Sequence, residues 1–308
     1  MAPITAETGA RASRLRLTLD DWRSREAEHH AAVDELTSAH LRRSHAGIKH
    51  PIIDFLFTYY RSSVGALRTW HPGTGVQLEI ENCRRGIPRF YRRVEAAEPD
   101  GVSAMEVDFD AVAASKGKRW QRAATIVART ASRPPRFGCF GRHEWAMVYR
   151  LRPHEIRHEQ VPLRVSEETI AEQVEAGVHC THFDAFRFFT APAEPLNEFA
   201  LNRDSQLERE QPGCLHAGMD LYRWASELGP ACPSDLLLDT FRASLRARVV
   251  DMQASPYDLR DYGYEPIKIE TPHGRAQYAA FQRRWAEETN VLRERMLALY
   301  ASLGVYPE

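Results

Sequence analysis

Apolar residues recur three or four positions apart along much of the chain, which is the spacing of one face of an α-helix. The first such stretch begins at Asp20 or Asp21 and predicts a helix that ends near Ser44. Three later stretches predict helices over 214–228, 234–253 and 273–303. This repeated pattern predicts a mainly α-helical fold.

Shorter apolar segments lie between these helices. Residues 50–62 are rich in aromatic side chains and predict a buried helix, with Pro51 in its first turn. Residues 106–130 also predict a helix, and residues 166–176 begin with a capping-box pattern. Residues 137–151 fit either a strand or a short buried helix. Strands and helices do not alternate regularly, so an α/β fold is not expected.

The chain shows no internal repeat and no low-complexity linker that would divide it. We expect residues 1–14 to form a flexible N-terminal tail. Residues 15–308 are expected to form a single mainly helical domain with long irregular loops and little β-structure. No apolar run reaches the roughly 18 residues that span a bilayer, and the N-terminus lacks the apolar segment of a secretory signal. A cytoplasmic protein without membrane contact is therefore expected.

Overall charge gives little attraction for nucleic acid. The chain has 41 Lys and Arg against 42 Asp and Glu, a net charge of −1, whereas duplex-binding proteins usually carry a basic excess. The densest basic cluster is flanked by glutamates that reduce its field, and consists of Arg84, Arg85, Arg89, Arg92 and Arg93. We therefore expect no strong salt-dependent affinity for duplex DNA.

Histidine stands near cysteine at three places, as Cys139-x₃-His143, Cys180-x-His182 and Cys214-x-His216. Both residue types ligate zinc, iron and copper, but no C-x₂-C knuckle is present. Any metal site must therefore be gathered from distant segments, while the alternative is cysteine packed as a small apolar side chain. We expect His182 and His216 to lie within about 10 Å of each other. The expected metal ligands are His182, His216, His143 and His50.

Two histidines are followed four residues later by aspartate, as His50 and Asp54 and as His216 and Asp220. Such pairs share one helix face, and here both fall in apolar segments, where ionisable groups need partners. We expect Asp220 to orient or assist His216. The expected catalytic residues are Asp220, Glu144, Asp54 and Tyr257. The expected cofactor-binding residues are Trp145, Phe186, Arg187 and Tyr222.

Six segments resemble a family of actinobacterial proteins commonly named 3-methyladenine DNA glycosylase. They read HPIIDFLFTYY, RTWHPGTGV, CFGRHEWAMVYR, CTHFDAFRFFTAPAEPLN, REQPGCLHAGMDLYRWA and DMQASPYDL, and they run from about residue 50 to residue 260. The turn at 70–76 also resembles the phosphate-holding P-G-x-G turn of helix-hairpin-helix glycosylases. The resemblance implies excision of alkylated purines from DNA.

Two functions follow from these observations. The buried histidines and His-x₃-Asp pairs favour a metal-dependent oxidoreductase or oxygenase that acts on a small aromatic or heterocyclic substrate. Its metal is expected to be iron, either non-haem or as haem. The alternative is a DNA base-excision glycosylase, which needs an aromatic pocket for a flipped base, an acid and a basic face. A non-catalytic binding module would leave the clustered polar residues unexplained.

Overall fold

The structure is a computed structural model that describes residues 15–80, 86–94, 102–156, 158 and 160–308. The expected tail, residues 1–14, lies outside the described residues. The fold is mainly helical, as predicted, and also contains a small four-stranded sheet. The helices are α1 (Leu19–His45), α2 (Ile53–Tyr59), α3 (Val64–Arg68), α4 (Phe109–Lys116), α5 (Trp120–Ser132), α6 (Arg142–Ala146), α7 (Glu167–Glu175), α8 (Phe183–Phe186), α9 (Gln206–Arg209), α10 (Leu215–Leu228), α11 (Ser234–Gln253) and α12 (Pro272–Ser302). The strands are β1 (Leu15–Leu17), β2 (Val76–Glu79), β3 (Tyr91–Val94) and β4 (Ala104–Val107).

Helix α1 confirms the helix that the apolar spacing predicts, and Thr18, the residue before it, caps its N-terminus. The Thr18 hydroxyl accepts a hydrogen bond from the backbone N–H of Asp21. Asp20 and Asp21 occupy the first turn, and Arg42 and Arg43 occupy the last, so both ends oppose the helix dipole.

The sheet has the order β1-β2-β4-β3, with β1 parallel to β2 and the other pairs antiparallel. Because side chains alternate along a strand, Leu78, its cross-strand partner Met105 and Tyr91 share one face. The opposite face carries Arg92, whose guanidinium donates to the Glu106 carboxylate. The predicted helix over 106–130 was wrong at its start, because β4 extends through Val107.

The core of the fold is built by α10 and α11, which pack along each other, with α12 and α5 against α10. Gly218 makes close packing between α10 and α12 possible. A Cβ on this residue would lie 2.5 Å from the Trp285 ring, closer than atoms can approach. Thr271 caps α12 through its hydroxyl, and Pro272 occupies the first turn.

Within residues 137–151 the structure has the short buried helix α6, which spans only Arg142–Ala146, and no strand. The helix begins after Gly141, whose φ of 77° is the left-handed conformation that glycine adopts readily. No helix among the described residues is long and apolar enough to cross a membrane.

Candidate metal centre

Helix α10 contributes two ionisable side chains to the interior. His216 and Asp220 are one helical turn apart, about 6 Å along the axis, and both are buried. Gly218 lies between them and holds this part of α10 against Trp285 of α12. The position of both side chains therefore follows from the packing of two long helices.

The other members of the site come from short or irregular segments. His143 lies on α6, and His182 is the residue that immediately precedes α8. Glu210 follows α9, and Asp251 lies near the end of α11. All four side chains are buried. Distant parts of the chain therefore meet at α10, as the absence of a local metal-binding motif predicted.

The first of two adjacent clusters consists of His143, His216 and Asp251. One Asp251 oxygen, Oδ1, lies 3.0 Å from His143 Nε2, and the other, Oδ2, lies 3.9 Å from His216 Nε2. The two imidazole ring centres are 4.7 Å apart. We call this set the first triad.

The second triad consists of His182, Glu210 and Asp220. Glu210 Oε1 lies 3.1 Å from His182 Nδ1, and Asp220 Oδ2 lies 3.7 Å from His182 Nε2. In each triad the possible ligand atoms lie within 4.8 Å of one another, which fits atoms held about 2.0–2.3 Å from one ion. Both triads could therefore hold a metal ion.

The two triads are joined by stacked histidine rings. The ring centres of His182 and His216 are 5.4 Å apart and their planes differ by 22°. The predicted proximity of these two histidines is thus confirmed. The predicted partnership of Asp220 with His216 needs correction, because Asp220 faces His182 and the nearest described carboxylate to His216 is Asp251. Residues one turn apart on α10 reach different neighbouring segments.

Several polar atoms in the triads have no hydrogen bond of good geometry within the described part of the chain. They are both oxygens of Asp220, both ring nitrogens of His182 and Nε2 of His143. Buried polar atoms are normally satisfied, and a missing ion is one explanation for a group of unsatisfied ones. The donor set of imidazole nitrogen and carboxylate oxygen is suited to such an ion.

Burial and charge compete in the first triad. Burial lowers the pKa of His143, but the Asp251 carboxylate outweighs it, so the pKa lies well above its usual value. Burial raises the pKa of Asp251, and the His143 imidazolium outweighs it in turn, so the net shift is downward. Burial keeps the pKa of His216 well below its usual value. The His216 ring is therefore neutral, the form that ligates a metal.

In the second triad the pKa values of His182 and Asp220 lie on either side of neutral pH. Burial lowers the pKa of His182, but the Glu210 carboxylate more than compensates and brings it to about 9. Burial raises the pKa of Asp220 to about 6, although the charge of His182 opposes this. The triad thus holds protons near neutral pH that a metal ion would displace.

A buried arginine borders the first triad. The Arg248 guanidinium lies 2.5 Å from Glu144 Oε1 and 3.3 Å from Asp251 Oδ2, and its other face lies over the Phe55 ring. Cys139 Sγ lies 3.4 Å from His143 Nδ1, the ring nitrogen that faces away from Asp251. These contacts fix the orientation of Asp251 and His143.

A small cavity of about 30 Å³ opens beside His216. Aromatic side chains make up much of its wall, and Glu144 and Arg248 also line it. The aromatic residues of the wall are Phe55, Tyr59, Phe188 and Tyr257. Its volume is near that of one water molecule, so a larger molecule requires these rings to move. Glu144 and Tyr257, two of the expected catalytic residues, therefore lie beside the first triad.

His50 and Asp54 lie outside both triads. The His50 ring accepts hydrogen bonds through Nδ1 from the backbone of Ile52 and Ile53. Asp54 accepts from the His50 backbone N–H and contacts His40 Nδ1 at 2.9 Å. These contacts cap the start of α2, so the expected roles of His50 in metal binding and Asp54 in catalysis have no support from the geometry.

The four expected cofactor-binding residues have structural contacts instead. The buried Trp145 donates from its indole N–H to the Ala254 carbonyl, and Phe186 packs on Phe189. Arg187 is ion-paired with Asp184, and the Tyr222 hydroxyl is hydrogen-bonded to Ser62. None of the four is a member of either triad.

Two of the six triad residues, Glu210 and Asp251, are not among the expected site residues. Glu210 lies in the irregular segment REQPG, which has no periodicity to indicate burial. Asp251 is flanked by apolar residues in VVDMQ, which is a signal of a buried carboxylate on a helix. Arg248, three residues earlier on α11, carries the same signal.

Comparisons with family models, with curated proteins and with solved structures gave no match for this chain. The chemistry of the site therefore follows from its own residues, and the resemblance to DNA glycosylases stays a prediction.

Proposed function

We propose that the protein is a non-haem iron oxygenase whose two triads each hold one iron ion and whose substrate is a small aromatic or heterocyclic molecule. One observation carries the proposal. Three histidines and three carboxylates from five segments are buried side by side, and several of their polar atoms have no hydrogen bond of good geometry among the described residues. Burying such groups without a compensating ion costs free energy that the fold would have to supply elsewhere.

The donor set supports iron. Two imidazoles and one carboxylate in the first triad correspond to the ligand set of many non-haem iron oxygenases. The three triad carboxylates, Asp251, Glu210 and Asp220, also balance most of the charge of two divalent ions. Glu144 is left out of this sum because Arg248 already neutralises it. A set of thiolate ligands, typical of structural zinc, is absent from both triads.

Non-haem iron fits this site better than haem does. A haem needs space comparable to that of other large ligands, several hundred Å³, whereas the cavity beside His216 measures about 30 Å³. Carboxylate oxygens also lie 3.0 Å from His143 Nε2 and 3.7 Å from His182 Nε2, the ring atoms that would have to face a haem iron.

The residues around the first triad would have separate roles in such an oxygenase. Iron bound there would supply reactivity toward dioxygen. Arg248 holds Asp251 in place and is ion-paired with Glu144 beside the cavity. The Phe55 and Tyr257 rings exclude water and offer flat surfaces for an aromatic substrate. His216 is the member of the first triad that also lines the cavity.

Oxygen uptake tests the proposal. Apoprotein is loaded with ferrous iron under anaerobic conditions and mixed with oxygenated buffer, and oxygen is followed with an electrode. We expect uptake faster than by the same ferrous iron in buffer alone. An Asp251→Asn variant should lose the acceleration, while Asp54→Asn, which removes a His-paired carboxylate outside the triads, should keep it. Equal rates with and without the protein would contradict the proposal.

A second candidate function is supported by the line of Cys139, His143 and Asp251. The Cys139 sulfur and the Asp251 carboxylate contact opposite nitrogens of the His143 ring, as in a cysteine nucleophile with its base and orienting acid. Burial raises the pKa of the Cys139 thiol, but the His143 imidazolium outweighs it and the net shift is downward.

Replacing the sulfur separates the two functions. If the metal centre is the active site, Cys139→Ala should keep bound iron and oxygen uptake, with a reduction of at most about 100-fold in iron affinity from the lost contact to His143. If Cys139 is a nucleophile, iodoacetamide should modify it rapidly, and iron should not protect it.

We also propose that the described residues form one domain. A single cluster of buried apolar residues includes Val33 of α1, Trp145 of α6 and Val305 after α12. One continuous core of this kind is typical of a single domain.

A further inference from the structure

A second, larger cavity lies between α1 and the apolar face of the sheet. Its volume is about 500 Å³, within the range of pockets that bind small molecules. Leu78 and Met105 form its floor, because the alternation along β2 and β4 directs both toward α1. It shares no lining residue with the small cavity beside His216.

Two tryptophans form a flat wall of this cavity. The rings of Trp22 and Trp70 are parallel within 10°, with centres 6.4 Å apart. The Trp22 indole N–H donates to the carbonyl of Glu79 at 2.8 Å, which fixes the ring against the sheet. Parallel indole rings offer their faces to a planar aromatic ligand.

The turn that carries Trp70 is held in place by α11. His71 donates from its backbone N–H to the Ser234 hydroxyl, and its carbonyl accepts from the Ser234 N–H. The His71 ring contacts the Tyr91 hydroxyl at 2.9 Å. Burial lowers the pKa of His71 to about 4, so the ring is neutral when it makes this hydrogen bond. The cavity is thus preorganised rather than formed by loose side chains.

Two charged side chains line this cavity, Glu26 and Arg23, and the Arg23 guanidinium is already placed over the Trp22 ring. The Glu26 side chain is half-buried on α1, and it makes no hydrogen bond or ion pair with another residue of the described chain. Tyr91 is near enough for the Glu26 charge to contribute to the raised pKa of the phenol, which is due mainly to burial. A carboxylate without a partner beside aromatic faces favours a positively charged ligand.

We propose that this cavity binds a planar aromatic ring that carries an ammonium group, with the ring against Trp22 and Trp70 and the ammonium at Glu26. This site is separate from the metal centre, and the proposal does not depend on the function of that centre.

Titration with matched indole compounds tests the proposal. Full-length protein is titrated by calorimetry with tryptamine, which has a flat ring and an ammonium group. Indole-3-acetate has the same ring with a carboxylate, and choline has a cationic group without a ring. We expect saturable binding of tryptamine and at least about tenfold weaker binding of the other two.

Substitutions identify the residues responsible. Glu26→Gln should weaken tryptamine binding about tenfold, the effect of losing one charge-assisted contact. Glu35→Gln, the same change at an exposed site on α1, should leave binding unchanged. Trp70→Leu should remove most of the affinity, with circular dichroism as the check on folding. Iron content should be the same in all three variants.

The proposal is overturned if tryptamine shows no saturation up to about 5 mM, a range in which even weak specific sites fill. It is also overturned if indole-3-acetate binds as well as tryptamine, or if Glu26→Gln binds tryptamine like the wild type. The glutamine variant keeps the size of the side chain, so the test remains valid if Trp70→Leu does not fold.

Discussion

Asp251 stands between three groups of the metal centre. Its carboxylate contacts His143 and His216, and Arg248 holds it from a third side. No other carboxylate of the described site contacts two histidines. Asp251 is therefore the residue whose replacement tests the first triad most directly.

We expect Asp251→Asn to lose the ion of the first triad and keep that of the second. An amide is a weaker ligand than a carboxylate and leaves the ion's charge uncompensated. Iron per chain, measured by elemental analysis after reconstitution, should fall from about two to about one. Asp54→Asn is the matched control, since Asp54 also pairs with a histidine, and it should retain two. Undiminished iron in Asp251→Asn would contradict the assignment.

The spacing of histidine and aspartate indicated part of this site. His143, His182, His216 and Asp220 were all predicted, because a polar residue inside an apolar segment needs a buried partner. The same spacing at His50 and Asp54 forms a helix cap. Spacing along one segment does not reveal which distant segment lies opposite, and this is also why Glu210 was not predicted.

His71 gives a pH dependence of stability that is independent of the metal centre. Burial lowers its pKa from 6.5 to about 4, with a smaller contribution from the charge of His29. The folded state therefore favours the neutral ring, and the unfolded chain binds more protons between these pH values. The free energy of unfolding should decrease as the pH falls from about 6.5 to about 4, by about 3 kcal/mol in total.

Urea unfolding of the wild type and of His71→Gln over this pH range measures the effect. Glutamine does not titrate, so the variant should lack this component, and the difference between the two proteins isolates it from other buried groups. A constant difference over the range would contradict the expected shift.

At the scale of elements, the long helices follow directly from their apolar periodicity. Helix α10 begins at Leu215 and α11 ends at Gln253, each within one residue of the predicted bound. The sheet was not predicted, since strands of three or four residues are too short to show a clear alternation. Their pairing depends on segments that are distant in the chain, which no local pattern reveals.

Contact between α10 and α12 at Gly218 gives an element-scale prediction. Gly218→Ala should destabilise the fold by about 1–3 kcal/mol, because the new methyl group would overlap the Trp285 ring. The displacement of α10 should also lower iron binding, since His216 and Asp220 flank this position. Urea unfolding and elemental analysis measure the two effects.

Gly65→Ala is the matched control for this substitution. Gly65 is also helical, in α3, and its nearest neighbour to an added Cβ is 3.9 Å away. Alanine there should leave stability unchanged or raise it by up to about 1 kcal/mol through higher helix propensity. Equal stability of the two variants would show that α10 and α12 are not held at this contact.

At the scale of the whole molecule, charge argues against strong duplex binding. The net charge is −1, and Arg92, one of the basic cluster, is paired with Glu106 at 2.7 Å. Arg84 and Arg85 lie outside the described residues. Glu144, the acid available to a glycosylase, is paired with Arg248.

Binding to a generic duplex between about 50 and 200 mM salt tests this point. We expect weak affinity and a log–log slope shallower than about −4, because few phosphates can be engaged at once. A steeper slope would mean that at least four phosphates are contacted, and it would favour the glycosylase function over the oxygenase.

The number of ferrous ions bound per chain tests the central proposal most directly. Metal-free wild-type protein is titrated with ferrous iron under anaerobic conditions, and bound and free iron are separated and counted. We expect saturation at about two ions per chain, one for each triad, with binding that weakens as the ligands are protonated below neutral pH. Failure to bind iron above the level of a variant that lacks both Asp220 and Asp251 would contradict the account.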